Sequence, residues 1–521
     1  MSRLSRLRPG PGEVIGQLGR GLAAFGVVDH PWRLWRMLAG AGPRYGLTPA
    51  AAVLGAGLVW GDGARLTDDA GRLGYRGLAA GCRGLAAALG PLAGARVALM
   101  LPDDRSFLVG LGAVCLSGAR VTPVGPRTGT DHLRALGQQG FDLVLYADRL
   151  AEQASLLGGW RSVPVSQWAG LVAALPDGAP VPRLARQSGL VMLTGGSTGA
   201  PKAIGLRRRW LAPLTALGLA GVTAVRPGSV TLICPPLYHG YALAAAMLCL
   251  VGGSDMVLAG AVGGNGGELK GLGEGDIGRG EELFQAICRF QVETVFAVPA
   301  QLRRLAAYLR AVGPARDAGE RVRAVLSGAD RLDAATVATL TERWGPVVAN
   351  YYGTTETGTV TVARSAMCAR FPETVGRPVV GTRVQVVDAA GRVLPRGEVG
   401  LIRLSSPLAS ISDDGAGQSV TGTWTTADLG LVTPNGHLTV LGRADGLSRS
   451  GGEFGQPEVV REVLLALGGV TAAEVWVEAD AVFGQRLAAR VCGAGRSEQE
   501  LKALVRRRLG PANVPGRIQL S

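Results

Sequence analysis

Lysine, histidine and aromatic residues are scarce in this chain of 521 residues, in which Phe, Trp and Tyr make up 5%. There are three lysines, Lys202, Lys270 and Lys502, within a total of 54 lysines and arginines. The four histidines stand far from one another, which excludes an obvious zinc site. The seven cysteines form no C-x-x-C pair, so they predict reduced thiols in a reducing compartment, and we expect a cytoplasmic protein.

Long apolar runs are also missing, although 47% of the residues are hydrophobic. No stretch of about 20 uncharged apolar residues could form a membrane span, and the N-terminal arginines precede no signal-peptide core. Trp32, Leu34, Trp35 and Leu38 have helical spacing, which predicts core packing, with peripheral membrane contact as the alternative. The net charge of +14 favours anionic partners, but the short basic blocks do not indicate nucleic acid.

Apolar runs alternate with helical patterns along the first half of the chain. Strands are predicted at Val97–Leu101, Arg120–Pro123 and Leu143–Tyr146, and helices over Leu73–Leu89 and Ser106–Leu116. Such a β–α–β rhythm predicts parallel sheets covered by helices, and therefore an α/β fold.

The most informative stretch runs from Leu190 to Lys202 and reads L-V-M-L-T-G-G-S-T-G-A-P-K. Its apolar start predicts a buried strand, and the backbone N–H groups of a glycine-rich loop can turn toward one anion. The hydroxyls add donors and the lysine adds a mobile positive charge. The predicted phosphate-binding residues are Thr194, Gly195, Gly196, Ser197, Thr198, Gly199 and Lys202.

Three other interpretations of this loop are weaker. An ordinary turn explains the glycines but not the accompanying hydroxyls, proline and lysine. The loop matches the G-x-S-x-G elbow, in which Ser197 would be a hydrolase nucleophile, but that elbow leads directly into a helix, whereas Pro201 follows here. The Walker pattern is absent because no Gly-Lys pair occurs in the loop. We therefore expect the loop to bind the tail of a nucleoside triphosphate.

A second stretch, Asn350–Glu356, reads N-Y-Y-G-T-T-E. An aromatic face can stack on adenine, and Gly353 lets the backbone approach a substrate. Thr355 can bind the α-phosphate, and Glu356 can hold Mg²⁺ through hard oxygen ligands.

Together the two stretches resemble the phosphate loop and the Y-G-x-T-E motif of the adenylate-forming superfamily of acyl-CoA synthetases, luciferases and nonribosomal adenylation domains. The resemblance covers residues 45–521 and extends to Thr423–Asp428, Leu441–Gly446 and Phe483–Leu487. It differs at Ala427, where the family usually has glycine.

The resemblance implies roles for residues beyond the phosphate loop. His239 would line the carboxylate site and form the catalytic set with Thr355 and Glu356, although an isolated histidine is often structural. Asp428 would accept both ribose hydroxyls, and Gly446 would be the hinge of a small C-terminal domain. The implied adenine- and ribose-binding residues are Gly328, Ala329, Tyr352, Gly353, Thr354, Asp428 and Arg443.

The resemblance also implies an architecture: a large domain of parallel sheets flanked by helices, a β-barrel-like subdomain and a small α+β C-terminal domain. We predict an N-terminal extension over residues 1–45, an adenylation domain over 46–445 and the small domain over 446–521. The implied cofactors are ATP, Mg²⁺ and CoA, with the phosphopantetheine of a carrier protein as the alternative to CoA.

The sequence departs from the family's pattern at its end, where a P-x-x-x-x-G-K motif is expected. The chain stops at the preceding strand, and Arg517 lies too early to replace the lysine of that motif. The favoured prediction is an ATP-dependent ligase that activates a fatty or aromatic acid as its adenylate and transfers it to a thiol. One alternative is an enzyme that uses only part of this reaction cycle and transfers the acyl group to an amine or a carrier. The other is a catalytically weakened subunit that binds an acyl group or a nucleotide.

Overall fold

The computed structural model of the protein describes residues 4–24, 36, 40, 45–46, 48–176, 178–194, 202–205, 218–258, 277–313, 321–406, 411–412, 422–444, 448–450, 453–493 and 495–520. The four apolar residues predicted to form a stripe, at positions 32, 34, 35 and 38, lie outside this set. Within it, no helix is both long enough and apolar enough to cross a membrane.

The helices occur throughout the described chain. In order they are α1 (Pro11–Ala24), α2 (Pro49–Val59), α3 (Tyr75–Leu89), α4 (Arg105–Leu116), α5 (Thr130–Gly137), α6 (Ala151–Ser155), α7 (Trp168–Ala173), α8 (Gly240–Gly252), α9 (Ile277–Arg289), α10 (Pro299–Val312), α11 (Ala334–Trp344), α12 (Ser365–Arg370), α13 (Pro457–Leu465) and α14 (Glu498–Leu509).

The strands up to residue 327 are mostly short. They are β1 (Arg6–Leu7), β2 (Arg65–Asp68), β3 (Gly71–Gly74), β4 (Arg96–Met100), β5 (Arg120–Pro123), β6 (Leu143–Tyr146), β7 (Arg161–Pro164), β8 (Gly189–Thr194), β9 (Lys202–Gly205), β10 (Val230–Ile233), β11 (Asp255–Leu258), β12 (Thr294–Ala297) and β13 (Ala324–Ser327).

The strands after residue 347 are mainly antiparallel, and several of them are longer. They are β14 (Val348–Thr354), β15 (Gly358–Ala363), β16 (Thr374–Pro378), β17 (Arg383–Val387), β18 (Gly400–Ser405), β19 (Ile411–Ser412), β20 (Thr423–Val432), β21 (Leu438–Arg443), β22 (Ser448–Ser450), β23 (Glu453–Gly455), β24 (Ala472–Asp480), β25 (Gly484–Cys492) and β26 (Arg517–Leu520).

Two sheets of the described chain carry the parallel strands that the α/β rhythm predicts. One has the order β19-β9-β8-β5-β4-β6-β7, and its strands β8, β5, β4, β6 and β7 run parallel. The other begins with the parallel set β2, β11, β10, β12, β13 and β14. Strands β12 and β13 are buried along their whole length, as expected of parallel strands that are covered on both faces.

The helix between these sheets explains their packing. Phe107, Leu108 and Leu111 on α4 are fully buried, and the largest apolar cluster joins them to side chains of both parallel sheets. A helix that is apolar all round is stable only when it is enclosed. Burial of each such side chain contributes about 1.5–3 kcal/mol, so α4 is a principal source of cohesion between the layers.

The second sheet continues into an antiparallel, barrel-like part. From β14 its order is β15, β16, β21, β20, β18, β17 and β1. The N-terminal strand β1 therefore pairs with β17, and Glu13 on α1 lies 2.7 Å from Arg377 on β16. The described part of the predicted N-terminal extension is thus attached to the barrel-like subdomain.

The C-terminal residues form a separate sheet in the order β23-β22-β25-β24, with β26 also paired to β25. Helix α14 lies against α5, where Arg508 Nε is 2.8 Å from Asp131 Oδ2. Gly129 is in contact with the backbone of Arg508, and a Cβ at position 129 would clash there. The mixed α/β fold with a small α+β C-terminal part is confirmed, whereas the domain boundaries remain predictions.

Candidate functional site

The predicted phosphate loop connects two antiparallel strands. Strand β8 ends at Thr194 and β9 begins at Lys202, and these two residues are paired across the strands. Because a strand rather than a helix follows the loop, the nucleophile-elbow interpretation does not fit. The loop residues themselves lie outside the described part of the chain; these are Gly195, Gly196, Ser197, Thr198 and Gly199.

The predicted catalytic pair, Thr355 and Glu356, lies in the turn between β14 and β15, where both residues are half-buried. The hydroxyls of Thr354 and Thr357 are 3.1 Å apart across this turn. Each of these hydroxyls also accepts a bond from the other residue's backbone N–H, at 3.3 Å. The turn is therefore held by its own hydroxyls, which fixes the backbone that presents Glu356.

Thr357 was not among the predicted site residues. It is fully buried, and its carbonyl accepts a bond of 2.7 Å from the hydroxyl of Ser406. The spacing of two threonines three residues apart is a local signal of a turn stabilised by hydroxyls. That signal was available beside Glu356 in the sequence.

Gly353 is required by the hairpin itself. A Cβ at this position would clash with the carbonyl oxygen of Gly358 on the facing strand. The ladder between β14 and β15 also shifts its register between Tyr352 and Gly353. An irregularity of this kind bends the strand and changes the direction of the residues that follow it.

Three predicted nucleotide-binding residues come together at one point. The Tyr352 hydroxyl donates to Asp428 Oδ2 at 2.7 Å, and Arg443 Nη1 donates to Asp428 Oδ1 at 3.3 Å. Asp428 is 1% exposed and Tyr352 is 5% exposed. The backbone N–H of Asp428 also donates to the Thr426 hydroxyl at 3.1 Å. A buried carboxylate needs such partners, and here they fix its position.

The predicted adenine turn follows the end of β13. Ala329 has a φ of 68°, in the left-handed region that residues with a side chain rarely adopt. A Cβ on Gly328 would clash with the ring of Tyr351. Backbone strain of about 1–3 kcal/mol is typical of binding sites, which agrees with the predicted location of a ligand here.

His239 is the residue that precedes α8, and its backbone N–H donates to the carbonyl of Pro236 at 3.0 Å. Its ring lies 4.4 Å from the ring of Tyr238, centroid to centroid. Of the apolar residues near His239, Leu237, Ala242 and Leu248 belong to the core, whereas Ala244 is exposed.

Asp103 is a further residue near His239 that was not predicted. It follows β4, and its carboxylate accepts a bond of 2.6 Å from the backbone N–H of Leu237. Burial raises the pKa of Asp103 to about 6, while that N–H and the charges of His239 and Arg127 act in the opposite direction. The pair Asp103-Asp104 after a buried strand is a visible signal in the sequence. Asp104 is explained as the cap of α4, which leaves Asp103 as the aspartate without a local structural role.

Two cations near the C-terminus, Lys502 and Arg517, pair with carboxylates of the C-terminal part of the chain. Arg517 pairs with Glu478 at 2.9 Å, and Lys502 pairs with Glu498 at 2.8 Å. The predicted hinge, Gly446, lies outside the described residues. Both cations are therefore neutralised by nearby glutamates.

Phe483, in the C-terminal part of the chain, packs beside the predicted adenine turn. It is buried against Val298 and Ala300, and Tyr241 and Ala329 pack on the same cluster. The guanidinium of Arg304 lies 5.2 Å from the Phe483 ring centroid, within the range of a cation–π interaction.

Comparisons with known proteins identify the family of this chain. The family described as AMP-binding enzyme matches residues 58–411. An uncharacterized acyl–CoA ligase of Bacillus subtilis, YhfT, is 26% identical over 430 residues, which cover 81% of this chain and 82% of that protein. A 2-succinylbenzoate–CoA ligase of Geobacillus kaustophilus is 28% identical over 438 residues, with coverage of 81% and 83%.

Among solved structures, the amide bond synthetase McbA from Marinactinospora thermotolerans has a TM-score of 0.76 and 24% identity. The match covers 91% of this chain and 95% of that one, and it shows a shared fold. The family match spans more than half of the sequence and includes the phosphate loop and the Y-G-x-T-E turn. The chain therefore belongs to the AMP-binding enzyme family of adenylate-forming enzymes.

Proposed function

We propose that the protein is an ATP-dependent ligase that converts a fatty or aryl carboxylic acid to its acyl-adenylate and then to a thioester with CoA. One observation carries this proposal: Tyr352, Asp428 and Arg443 come from three separate motifs and form one hydrogen-bonded unit. The relatives named above, an acyl–CoA ligase and a 2-succinylbenzoate–CoA ligase, support this assignment.

The first half-reaction joins the acid to AMP. A carboxylate oxygen attacks the α-phosphorus of ATP, and pyrophosphate leaves with the electrons of the broken P–O bond. The segment Thr194–Lys202 would hold the phosphates, Asp428 would accept bonds from the ribose hydroxyls, and His239 would line the carboxylate. These groups act by orienting the reactants and by opposing the developing negative charge.

Glu356 would hold Mg²⁺, which when bound neutralises charge on the phosphates. The fit is good because Mg²⁺ is usually bound by one or two carboxylates together with substrate phosphates. Glu356 offers such a carboxylate in the half-buried turn between β14 and β15, directly after Thr355 in the sequence.

The second half-reaction replaces AMP with a thiol. The sulfur attacks the acyl carbon, the bond to the phosphate oxygen breaks, and the thiol proton is released. Rotation of the small domain about Gly446 would accompany this step. CoA is the proposed acceptor, and the phosphopantetheine of a carrier protein offers the same thiol. The seven cysteines all lie in the described chain and none is in a disulfide, which supports a cytoplasmic location.

A second candidate is acyl transfer to an amine. It is favoured by one observation: the chain shares its fold with the amide bond synthetase McbA over 91% of its length. Such a protein would release an amide instead of a thioester.

The test is ATP–pyrophosphate exchange on the purified protein with a panel of fatty and aryl acids. We expect exchange that depends on one class of acid and is lost in Lys202→Ala. Asp428→Asn should lower kcat/KM for ATP by about 10- to 100-fold, because hydrogen bonds to a charged group contribute about 1.5–3 kcal/mol. Asp388→Asn, which alters an aspartate bonded to Arg392 in a surface turn, is the matched control.

The acceptor is then identified by adding CoA or an amine to the enzyme that carries the acyl-adenylate. Thioester formation supports the first proposal, and amide formation with no thioester supports the second. Bound ATP with no exchange for any acid contradicts both and leaves a nucleotide-binding subunit.

A further inference from the structure

Three aromatic rings line the carboxyl ends of the parallel strands in the larger sheet. Phe296 belongs to β12, Tyr351 to β14, and Tyr241 to the first turn of α8, which follows β10. The Tyr241 ring centroid lies 5.8 Å from that of Phe296 and 4.8 Å from that of Tyr351. The rings therefore form a continuous wall, which we call the aromatic wall. Ligands of open parallel sheets bind at this edge.

The aromatic wall is fixed in position by the backbone around it. The Tyr241 hydroxyl donates to the carbonyl of Leu326 at 2.7 Å. The Tyr351 ring covers Gly328, where no Cβ could be accommodated. Phe296 is fully buried, and Phe483 packs on Tyr241 from the C-terminal domain. None of these rings can withdraw without the loss of packing or of a hydrogen bond.

The position of the aromatic wall relates it to the acyl group. Tyr241 follows His239 by two residues, and His239 is the predicted neighbour of the substrate carboxylate. Successive residues of a strand point to opposite faces, so Tyr351 lies on the face opposite Tyr352, which bonds Asp428. Tyr352 thus belongs to the nucleotide side, whereas Tyr351 lies between the predicted adenine turn at Gly328 and Tyr241, next to the predicted carboxylate site.

We propose that Tyr241 and Tyr351 close the acyl end of the site and restrict the protein to compact acids, with an aryl ring or a short chain. This inference rests on the proposed ligase function and names its substrate class. Planar acids stack on aromatic faces at little entropic cost, whereas an extended alkyl chain would need the space that the Tyr241 ring occupies.

The test compares benzoate, octanoate and dodecanoate in ATP–pyrophosphate exchange. In the wild-type protein we expect kcat/KM for benzoate to exceed that for dodecanoate by at least about tenfold, since hydrophobic pockets discriminate by 10- to 200-fold per group. Tyr241→Ala should reverse this ratio, mainly through the KM for dodecanoate. Tyr241→Phe retains the ring and loses only the hydroxyl, so its acid preference should remain that of the wild type.

Two further variants keep the test valid if Tyr241→Ala does not fold. Tyr241→Leu and Tyr351→Leu each remove a ring and retain apolar volume, and both should increase relative activity on the longer acids. Exchange with an unchanged acid preference in all folded variants, or a wild-type preference for dodecanoate, would overturn this inference alone. Absence of exchange with every acid would instead overturn the proposed ligase function on which it rests.

Discussion

The bond between Tyr352 and Asp428 is the most direct test of the nucleotide side of the site. In Tyr352→Phe the ring remains and the donor at 2.7 Å from Asp428 Oδ2 is removed. Both residues are buried, so bulk water cannot replace the lost donor. A hydrogen bond to a charged group contributes about 1.5–3 kcal/mol. Arg443 remains bonded to the other oxygen of the carboxylate, which limits the loss to this range.

Two measurements follow from this magnitude. Hydrogen exchange of the amides of β20, the strand that carries Asp428, should become faster by about 10- to 100-fold, which corresponds to the same free energy. The KM for ATP should rise by up to about tenfold while kcat changes little, because the hydroxyl orients the carboxylate before ATP binds.

The controls separate this bond from a general loss of stability. Tyr308→Phe removes a hydroxyl from a ring that packs on Phe284, and it should leave both measurements unchanged. In the Asp428→Asn background, Tyr352→Phe should cost clearly less than in the wild type, since the charged partner is gone. Equal costs in the two backgrounds, or unchanged exchange in β20, would refute the reasoning.

Three further predictions concern separate parts of the protein. The pKa of Asp103 is raised from 3.8 to about 6, so the folded state retains a proton that the unfolded state releases. The free energy of unfolding should therefore fall by up to about 3 kcal/mol as pH rises from 4 to 6. Asp103→Asn should abolish this decline when denaturation is measured at a series of pH values. Gly376 has a φ of 81° and faces a backbone carbonyl, so Gly376→Ala should prevent folding. Gly71 has a φ of 95° and open space around it, so Gly71→Ala should lower the free energy of unfolding by only about 1–2 kcal/mol. Equal yields of folded protein for the two variants would contradict this. Phe483→Ala should speed limited proteolysis between the domains, because a buried aromatic side chain contributes about 3–5 kcal/mol, while Trp160→Ala, at a residue 96% exposed, should not.

The local elements were readily predicted from the sequence because their signals are local. The strands Arg120–Pro123 and Leu143–Tyr146 agree with their predicted bounds. Apolar runs and a capping box at Ser497 specify such elements without reference to the rest of the chain. The pairing of β1 with β17 was not predicted, since contacts between residues so distant in sequence leave no periodic signal.

The site was predicted in composition more than in arrangement. The motifs identified Tyr352, Asp428 and Arg443 individually, but the bonds among them depend on the registers of β14, β20 and β21. Asp103 was missed for a related reason: its partner, the N–H of Leu237, is a backbone group that any residue would provide. The backbone requirement at Gly353 likewise arises from the facing strand and is invisible in the sequence.

Strand β14 shows how one short stretch can serve both substrates. Its alternation directs Tyr352 to Asp428 and Tyr351 to Tyr241, on opposite faces of the sheet. The register shift after Tyr352 then changes the direction of the chain before the turn that carries Glu356. A one-residue slip of β14 would exchange the two tyrosines and displace the turn, so all three parts of the site would fail together. The register of β14 is therefore as much a requirement of the proposed chemistry as the identity of its residues.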